Sequence, residues 1–318
     1  MAIPKIDPPI TNASGPLSVT EEELHALGRS GAGAVVTKSM THCPRAGNPE
    51  PRLAARIDHD VGSINSMGLN NLGYERYAEL VPELKRHGKP VIASVSYAPC
   101  EHELPLEEQY LVIAKALEEA GADMLEINLS TPNLTGIPIA TDPENVRKVM
   151  EPLRREIKIP LSVKMPPYNN SLPLFEEVAS LLVELEVDAV VTMNSEPNVL
   201  DIDLQTRTKR LRPRGGYGGL GGPAVLPIAL GEVHRFYRYF RERGCEIPVW
   251  GCGGITTLED AIKHFLAGAS VVQVGTALLW EGPSVFERLW TGVERWLAEH
   301  GFSSVEEIVG AVQEARGA

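Results

Sequence analysis

Short runs of consecutive apolar residues alternate along the chain with stretches in which apolar positions recur every three or four residues. The runs fall at Pro9 to Ala13, Ala34 to Lys38, Pro90 to Val95, Asp123 to Asn128, Leu161 to Met165, Asp188 to Asn194, Ile247 to Gly251 and Val271 to Gly275. Several are apolar without alternation, the pattern of parallel strands buried on both faces. Helical stretches lie between them: Thr20 to Arg29, Leu72 to His87, Leu106 to Ala120, Pro143 to Ile157, Leu172 to Glu186, Ile228 to Glu242, Leu258 to Ala267 and Val285 to His300. Thr20-Glu21-Glu22-Glu23 and Thr257-Leu258-Glu259-Asp260 each place a capping residue before an acidic first turn. Eight strands, each followed by a helix, predict an α/β fold: a single (β/α)₈ barrel over residues 1–318, with loop insertions at its C-terminal mouth. A doubly wound open sheet is the alternative. The barrel is preferred because the strands number eight and polar residues recur at their C-terminal ends. Ser39 to Asn71 and Ser195 to Val225 interrupt the alternation, neither resembling a separate domain, and Ser303 to Ala318 reads as a last helix.

Composition narrows the class. Hydrophobic residues make up 43% of the 318, enough for a sizeable core. No apolar stretch approaches the roughly 18 residues needed to span a bilayer, and Met1 to Pro9 has no apolar signal region, so the expectation is a soluble cytoplasmic protein. The formal net charge of −12 argues against nucleic-acid and anionic-membrane partners. Cys43, Cys100, Cys245 and Cys252 are scattered without a CxxC pair, so free thiols and no metal site are expected.

In a barrel of this kind the chemistry sits on the C-terminal strand ends. Those ends read Asn12-Ala13-Ser14-Gly15, Thr37-Lys38-Ser39, Asn128 to Asn133, Lys164, Asn194-Ser195, Gly253-Gly254 and Gly275-Thr276. The mouth is polar, cationic and rich in donors, and Glu126 is almost its only carboxylate. Glycines after the seventh and eighth strands let backbone N–H groups approach a phosphate; tight turns alone are the bland reading. Lysine is seldom placed at a buried strand end without an anionic partner. One of Lys38 and Lys164 is read as neutralising a substrate carboxylate, the other as stabilising charge on a reduced flavin. Leu134 to Ala140, with Gly136 as hinge, suits a lid or an ordinary loop. The glycine-rich run Gly215 to Gly222 lacks the strand-then-helix context of a nucleotide fingerprint and is either a platform for a planar ring or a linker.

Taken in order, several motifs resemble the dihydroorotate dehydrogenases, flavin-dependent barrels of pyrimidine synthesis, and among them the soluble class 1 enzymes of the A type. They are Asn12 to Gly15, Thr37 to Ser39, Arg45-x-Gly-Asn-Pro-x-Pro-Arg52, Ser63-Ile-Asn-Ser-Met-Gly-Leu69 and Asn128 to Asn133. Val163 to Tyr168, Asn194-Ser195, Gly216 to Gly222, Gly253-Gly254-Ile255 and Gly275-Thr276-Ala277 complete the set. The resemblance implies that Lys38, Asn65, Met67, Gly68, Leu69, Asn128, Asn133, Asn194 and Ser195 hold orotate or dihydroorotate. It implies that Ala13, Ser39, Asn128, Lys164, Gly222, Gly253, Gly254, Gly275 and Thr276 hold FMN. The catalytic pair is then Lys164 and the residue at 131, which takes a proton from substrate C5 while C6 gives a hydride to the flavin. A planar imide suits the four carboxamides of Asn65, Asn128, Asn133 and Asn194, which both donate and accept.

One position departs from the family. Class 1 enzymes usually carry Cys as the base and class 2 enzymes Ser; here it is Thr131. A hydroxyl is a far weaker base than a thiol that ionises near neutral pH, so Thr131 must pass its proton on, to water or to a neighbour such as Ser130. Cys43 and Cys100 stay open as substitutes. Fumarate is the acceptor that the A type implies, with a homodimer as the assembly. The alternatives are a B-type enzyme passing electrons to a partner subunit and NAD, a flavin-binding relative that has lost catalysis, and another phosphate-binding barrel such as an aldolase or isomerase.

Overall fold

The computed structural model describes residues 2–100, 104–131, 138–169 and 171–314. In chain order its strands are β1 (Ile10–Asn12), β2 (Val35–Val36), β3 (Leu53–Ala54), β4 (Ser63–Asn65), β5 (Val91–Val95), β6 (Met124–Asn128) and β7 (Leu161–Met165). They continue with β8 (Ala189–Thr192), β9 (Glu196–Val199), β10 (Ile202–Asp203), β11 (Thr208–Lys209), β12 (Gly218–Gly221), β13 (Val249–Cys252) and β14 (Ala269–Val274). The helices are α1 (Glu21–Arg29), α2 (Tyr74–Lys85), α3 (Leu106–Glu119), α4 (Pro143–Glu156), α5 (Leu172–Glu184), α6 (Leu226–Glu242), α7 (Leu258–Ala267), α8 (Thr276–Glu281) and α9 (Val285–Glu299).

Eight strands form one parallel sheet in the order β1-β14-β13-β8-β7-β6-β5-β2. Its two edges, β1 and β2, meet through side chains. Asn12 Nδ2 donates to Val36 O at 2.6 Å, Asn12 Oδ1 accepts from Val36 N at 2.9 Å, and Thr11 Oγ1 donates to Ala34 O at 2.9 Å. A carboxamide, which carries the donor and acceptor of a peptide group, thus supplies the missing rung and closes the barrel. All eight predicted strands are present, and the open-sheet alternative is excluded.

Successive strand residues face opposite sides, which sorts the core into two layers. Ile92, Met124, Val191, Trp250 and Val271 join Ile6 and Ala34 in a cluster inside the barrel. Val91, Leu125, Val163, Val190 and Val272 join the helix faces outside it. On α3 these are Tyr110, Ile113, Ala114 and Leu117, one stripe of the helix. The two predicted capping boxes form: Thr20 with Glu23, and Thr257 with Asp260. Each such cap is worth about 1 kcal/mol.

The two insertions pair with each other. Strands β3, β4, β12 and β9 build a four-stranded antiparallel sheet in the order β3-β4-β12-β9, so residues from both insertions share one element. Half of the glycine-rich run, Gly218–Gly221, is therefore a strand, with Leu220 paired to Ile64. A second correction concerns the C-terminus. Ser303 to Ala318 is not a helix over its described part: one 3₁₀ turn spans Val305–Glu307. Beyond it Gly310 takes φ 73°, and the N–H groups of Gly310 and Val312 donate to Phe265 O and Leu266 O of α7 rather than along their own chain. Phe265 O also accepts from the cap N–H of Gly268 at 2.9 Å, so the tail adds a second bond there and one more at Leu266 O.

Candidate active site

Inside the barrel, four inward-facing positions of the apolar layer are followed two residues on by a polar or thiol side chain. Ile92 is followed by Ser94, Met124 by Glu126, Trp250 by Cys252 and Val271 by Gln273, with Lys164 at the same level on β7. All five are buried. They are joined in a chain of bonds: Lys164 Nζ donates to Gln273 Oε1 at 3.1 Å, and Gln273 Nε2 donates to Glu126 Oε2 at 2.8 Å. Ser94 Oγ donates to Glu126 Oε1 at 3.0 Å and lies 3.0 Å from Ser39 Oγ. Ser39 Oγ in turn accepts from Asn128 Nδ2 at 2.9 Å and lies 2.8 Å from Ser14 Oγ.

Burial disfavours the charge on Lys164, but the Cys252 sulfur, 3.9 Å away, and the Glu126 carboxylate outweigh it and raise the lysine's pKa above its ordinary value. Lys164 is therefore held as a cation at the floor of the site, and burial pushes the Cys252 thiol up. Lys38 differs. Burial, then the charge of Lys164, lowers its pKa to about 8. The one bond its ammonium makes among the described residues is weak, a 3.5 Å contact from Nζ to Gly15 O. A cation so poorly compensated is set to receive an anion.

Above the polar layer is a cavity of about 370 Å³. Ala13, Lys38, Ser39, Asn65, Met67, Leu69, Asn128, Thr131, Lys164, Asn194, Ser195, Gly222, Gly253, Gly254, Gly275 and Thr276 all line it. Gly68 does not; it turns the chain behind Met67 at φ 74°, where an added Cβ would meet the Asn48 side chain at 2.5 Å. Asn133 and residues 134–137 of the expected lid lie outside the described residues; the end of the lid enters a 3₁₀ turn, Ile139–Thr141. Cys43 and Cys100 do not line the cavity, whereas Thr131 does.

The carboxamides are held in place by the chain itself. Asn128 Oδ1 accepts from Ser130 N at 3.0 Å and Ser130 Oγ at 2.7 Å. Asn194 Nδ2 donates to Ser130 O at 3.1 Å, and Asn65 Nδ2 to Gly219 O at 3.2 Å. The Ser130 hydroxyl is thus spent on Asn128 and is not directed at Thr131. The hydroxyl facing Thr131 Oγ1 is Ser96 Oγ, 3.4 Å away. Ser96 is buried just past β5, beside the buried Tyr110, whose hydroxyl donates to Asn128 O at 2.9 Å.

Sequence reasoning passed over Ser96, Gln273 and Cys252. Gln273 and Cys252 could have been found by reading inward positions at a spacing of two. Ser96 follows the same parity on β5, being Ile92 plus four.

Gly254 and Gly222 on the cavity wall are sterically required. Gly254 has φ 79°, and a Cβ there would meet Leu226 Cα at 2.5 Å; Gly222 has φ 94°, with Gly62 Cα at 2.8 Å. At Gly275 an added Cβ meets only Ala13 Cβ, at 3.8 Å, so a side chain there would stand in the cavity space. His264, fully buried, braces this wall: its Nε2–H donates to Gly253 O at 2.9 Å, and burial lowers its pKa to about 4.

Comparison with known proteins agrees with this arrangement. The family model for dihydroorotate dehydrogenase matches residues 4–297. A dihydroorotate dehydrogenase (fumarate) of Trypanosoma cruzi is 41% identical over 308 residues, covering 96% of this chain and 94% of that one. A dihydroorotate dehydrogenase A (fumarate) of Lactococcus lactis is 36% identical over 309 residues, covering 96% and 95%. In fold, the chain is similar to a ligand-free dihydroorotate dehydrogenase of Eimeria tenella, with a TM-score of 0.81 at 22% identity over 98% of this chain and 90% of that one. No helix among the described residues is long and apolar enough to cross a membrane. A family match over nearly the whole barrel, with relatives this similar across 96% of the chain, establishes that the protein belongs to the dihydroorotate dehydrogenase family and is an oxidoreductase.

Proposed function

We propose that the protein, acting as a one-domain barrel in a cytoplasmic homodimer, oxidises dihydroorotate to orotate in pyrimidine biosynthesis, with FMN as cofactor and fumarate as electron acceptor. The observation that carries this reading is one cavity lined by two buried lysines of different character, three ordered carboxamides and the Thr131 hydroxyl. The cavity fits the cofactor on three counts. Gly222, Gly253, Gly254 and Gly275 leave backbone exposed where any side chain would clash or fill the space. Lys164 is a cation held for a group that gains negative charge on reduction. Ser39, whose hydroxyl is shared among Ser14, Ser94 and Asn128, presents a polar wall.

When bound, FMN supplies the acceptor for the hydride that leaves substrate C6. The chain's own residues do the rest. Lys38 receives the substrate carboxylate. Asn65, Asn128 and Asn194 read the planar imide edge, together with Asn133 and Ser195, and Met67 and Leu69 cover the ring. Thr131 takes the proton from C5 and hands its own to Ser96, whose own hydroxyl proton passes on to water. A threonine needs such a partner, since its hydroxyl ionises only at very high pH. The fumarate assignment rests on the names of the two relatives.

The direct test is spectroscopic. Purified protein should be yellow, and dihydroorotate added without oxygen should bleach it. Fumarate should restore the colour faster than NAD or a quinone. A colourless protein that takes up no FMN would sink the proposal. A yellow protein that dihydroorotate does not bleach would leave flavin binding without the reaction.

A further inference from the structure

Three soft or borderline ligand atoms converge on the outer side of the mouth. His42 Nδ1 lies 3.8 Å from Cys43 Sγ and 3.8 Å from Cys100 Sγ, and all three atoms are within 4.8 Å of one another. We propose that His42, Cys43 and Cys100 bind a zinc ion that ties the loop after β2 to the loop after β5.

The distances suit that ion. Zinc–sulfur bonds near 2.3 Å and zinc–nitrogen bonds near 2.05 Å set tetrahedral edges of about 3.8 Å between two sulfurs and about 3.6 Å between sulfur and nitrogen. Both observed sulfur–nitrogen separations are within a few tenths of an ångström of that edge. A ring nitrogen directed at two thiols has no role in a plain disulfide, whereas Cys₂His is a donor set zinc prefers. Three donors among the described residues leave one corner of the tetrahedron for a fourth ligand.

The two loops are already brought together without an ion. Arg45 Nη1 donates to Pro99 O at 3.2 Å, next to Cys100, and Ser96 N donates to Met40 O at 2.8 Å. Thr41 Oγ1 donates to Cys43 O at 2.7 Å, Asn71 Nδ2 donates to Thr41 Oγ1 at 2.8 Å, and the His42 ring rests against Tyr74 at a centroid distance of 5.2 Å. The ligands are half-buried, so an ion can enter. None of the three lines the cavity. The loops they join carry Lys38 and Ser39 on one side and Ser96 on the other, so the ion acts as a brace for the site and takes no part in the chemistry.

The test uses the flavin-loaded protein. After chelation and removal of the chelator, zinc is titrated against a chromophoric competitor, and cobalt(II) is titrated in parallel. One equivalent of zinc per chain is expected. Cobalt should give intense absorption in the red, beyond the flavin bands, as a tetrahedral thiolate centre does. His42→Ala, Cys43→Ser and Cys100→Ser should each weaken zinc binding at least about 100-fold while keeping the flavin spectrum, and Cys245→Ser should change nothing. Substoichiometric zinc, a weak octahedral cobalt spectrum, or equal affinity in the three variants would overturn the proposal. So would a Cys43–Cys100 disulfide that persists in the protein under glutathione. The cobalt spectrum of the unmodified chain decides the matter even if a variant fails to fold.

Discussion

Thr131 Oγ1 stands 3.4 Å from Ser96 Oγ, and no closer hydroxyl serves it among the described residues. Ser130, its chain neighbour, is turned away onto Asn128. If Ser96 takes the proton from Thr131, then Ser96→Ala should slow flavin reduction by dihydroorotate roughly 10-fold or more, with little change in KM. The loss should be largest near neutral pH and shrink as hydroxide takes over. A structural role alone would move KM or stability and leave the pH profile unchanged.

Lys38 gives a second pH dependence. Its pKa is lowered to about 8 in the free site, chiefly by burial and then by Lys164. An anionic ligand binds the protonated lysine, so orotate affinity should be constant below pH 8 and fall about tenfold per unit above it. Binding should be accompanied by proton uptake near pH 8 and above. Isothermal titration in buffers of different ionisation enthalpy measures this directly. In Lys38→Met both the affinity and its pH dependence should drop.

Glu126 and Lys164 share Gln273 between them, and neither has another oppositely charged partner at bonding distance among the described residues. Lys164→Met should therefore cost stability as well as chemistry, because it strands a buried carboxylate. Removing one partner of such a pair costs roughly 3–5 kcal/mol. Adding Glu126→Gln should return much of the lost Tm but none of the lost flavin reduction. Thermal melts and single-turnover reduction of the double variant separate the two roles.

His264 predicts acid sensitivity. Its folded pKa is depressed to about 4, below the ordinary value of about 6.5. A histidine held neutral contributes stability that is full above pH 6.5 and is lost as pH falls toward 4. Over that window the loss is about 3 kcal/mol. Urea midpoints for the wild type should fall across this window, and those of His264→Gln should fall less. Because His264 holds Gly253 O, His264→Gln should also release flavin more readily on dialysis.

Much of the barrel was legible because strands buried on both faces read as unbroken apolar runs, and because Lys38, Asn128, Lys164 and Asn194 break those runs just where the mouth lies. What stayed hidden depended on distance in sequence or on parity within a strand. Gln273 sits between Val272 and Val274 and looks like an interruption until its inward register is known. Strand β12 was masked by its glycines, whose pairing with Ser63 and Asn65 depends on a segment far earlier in the chain. Ser303 onward has a helical apolar spacing, yet Gly310 and the carbonyls at the end of α7 redirect the backbone. His42, Cys43 and Cys100 carry no recognisable spacing, since two separate loops bring them together.

The measurement that bears most directly on the central claim is anaerobic single-turnover reduction of the flavin by dihydroorotate in the wild type and in Thr131→Ala, from pH 6 to 10. With Thr131 as the base, the wild-type rate rises with pH, and the alanine variant is at least about 100-fold slower at neutral pH while still binding orotate. Equal rates in the two proteins would show that the proton at C5 leaves by another route and that Thr131 is not the base.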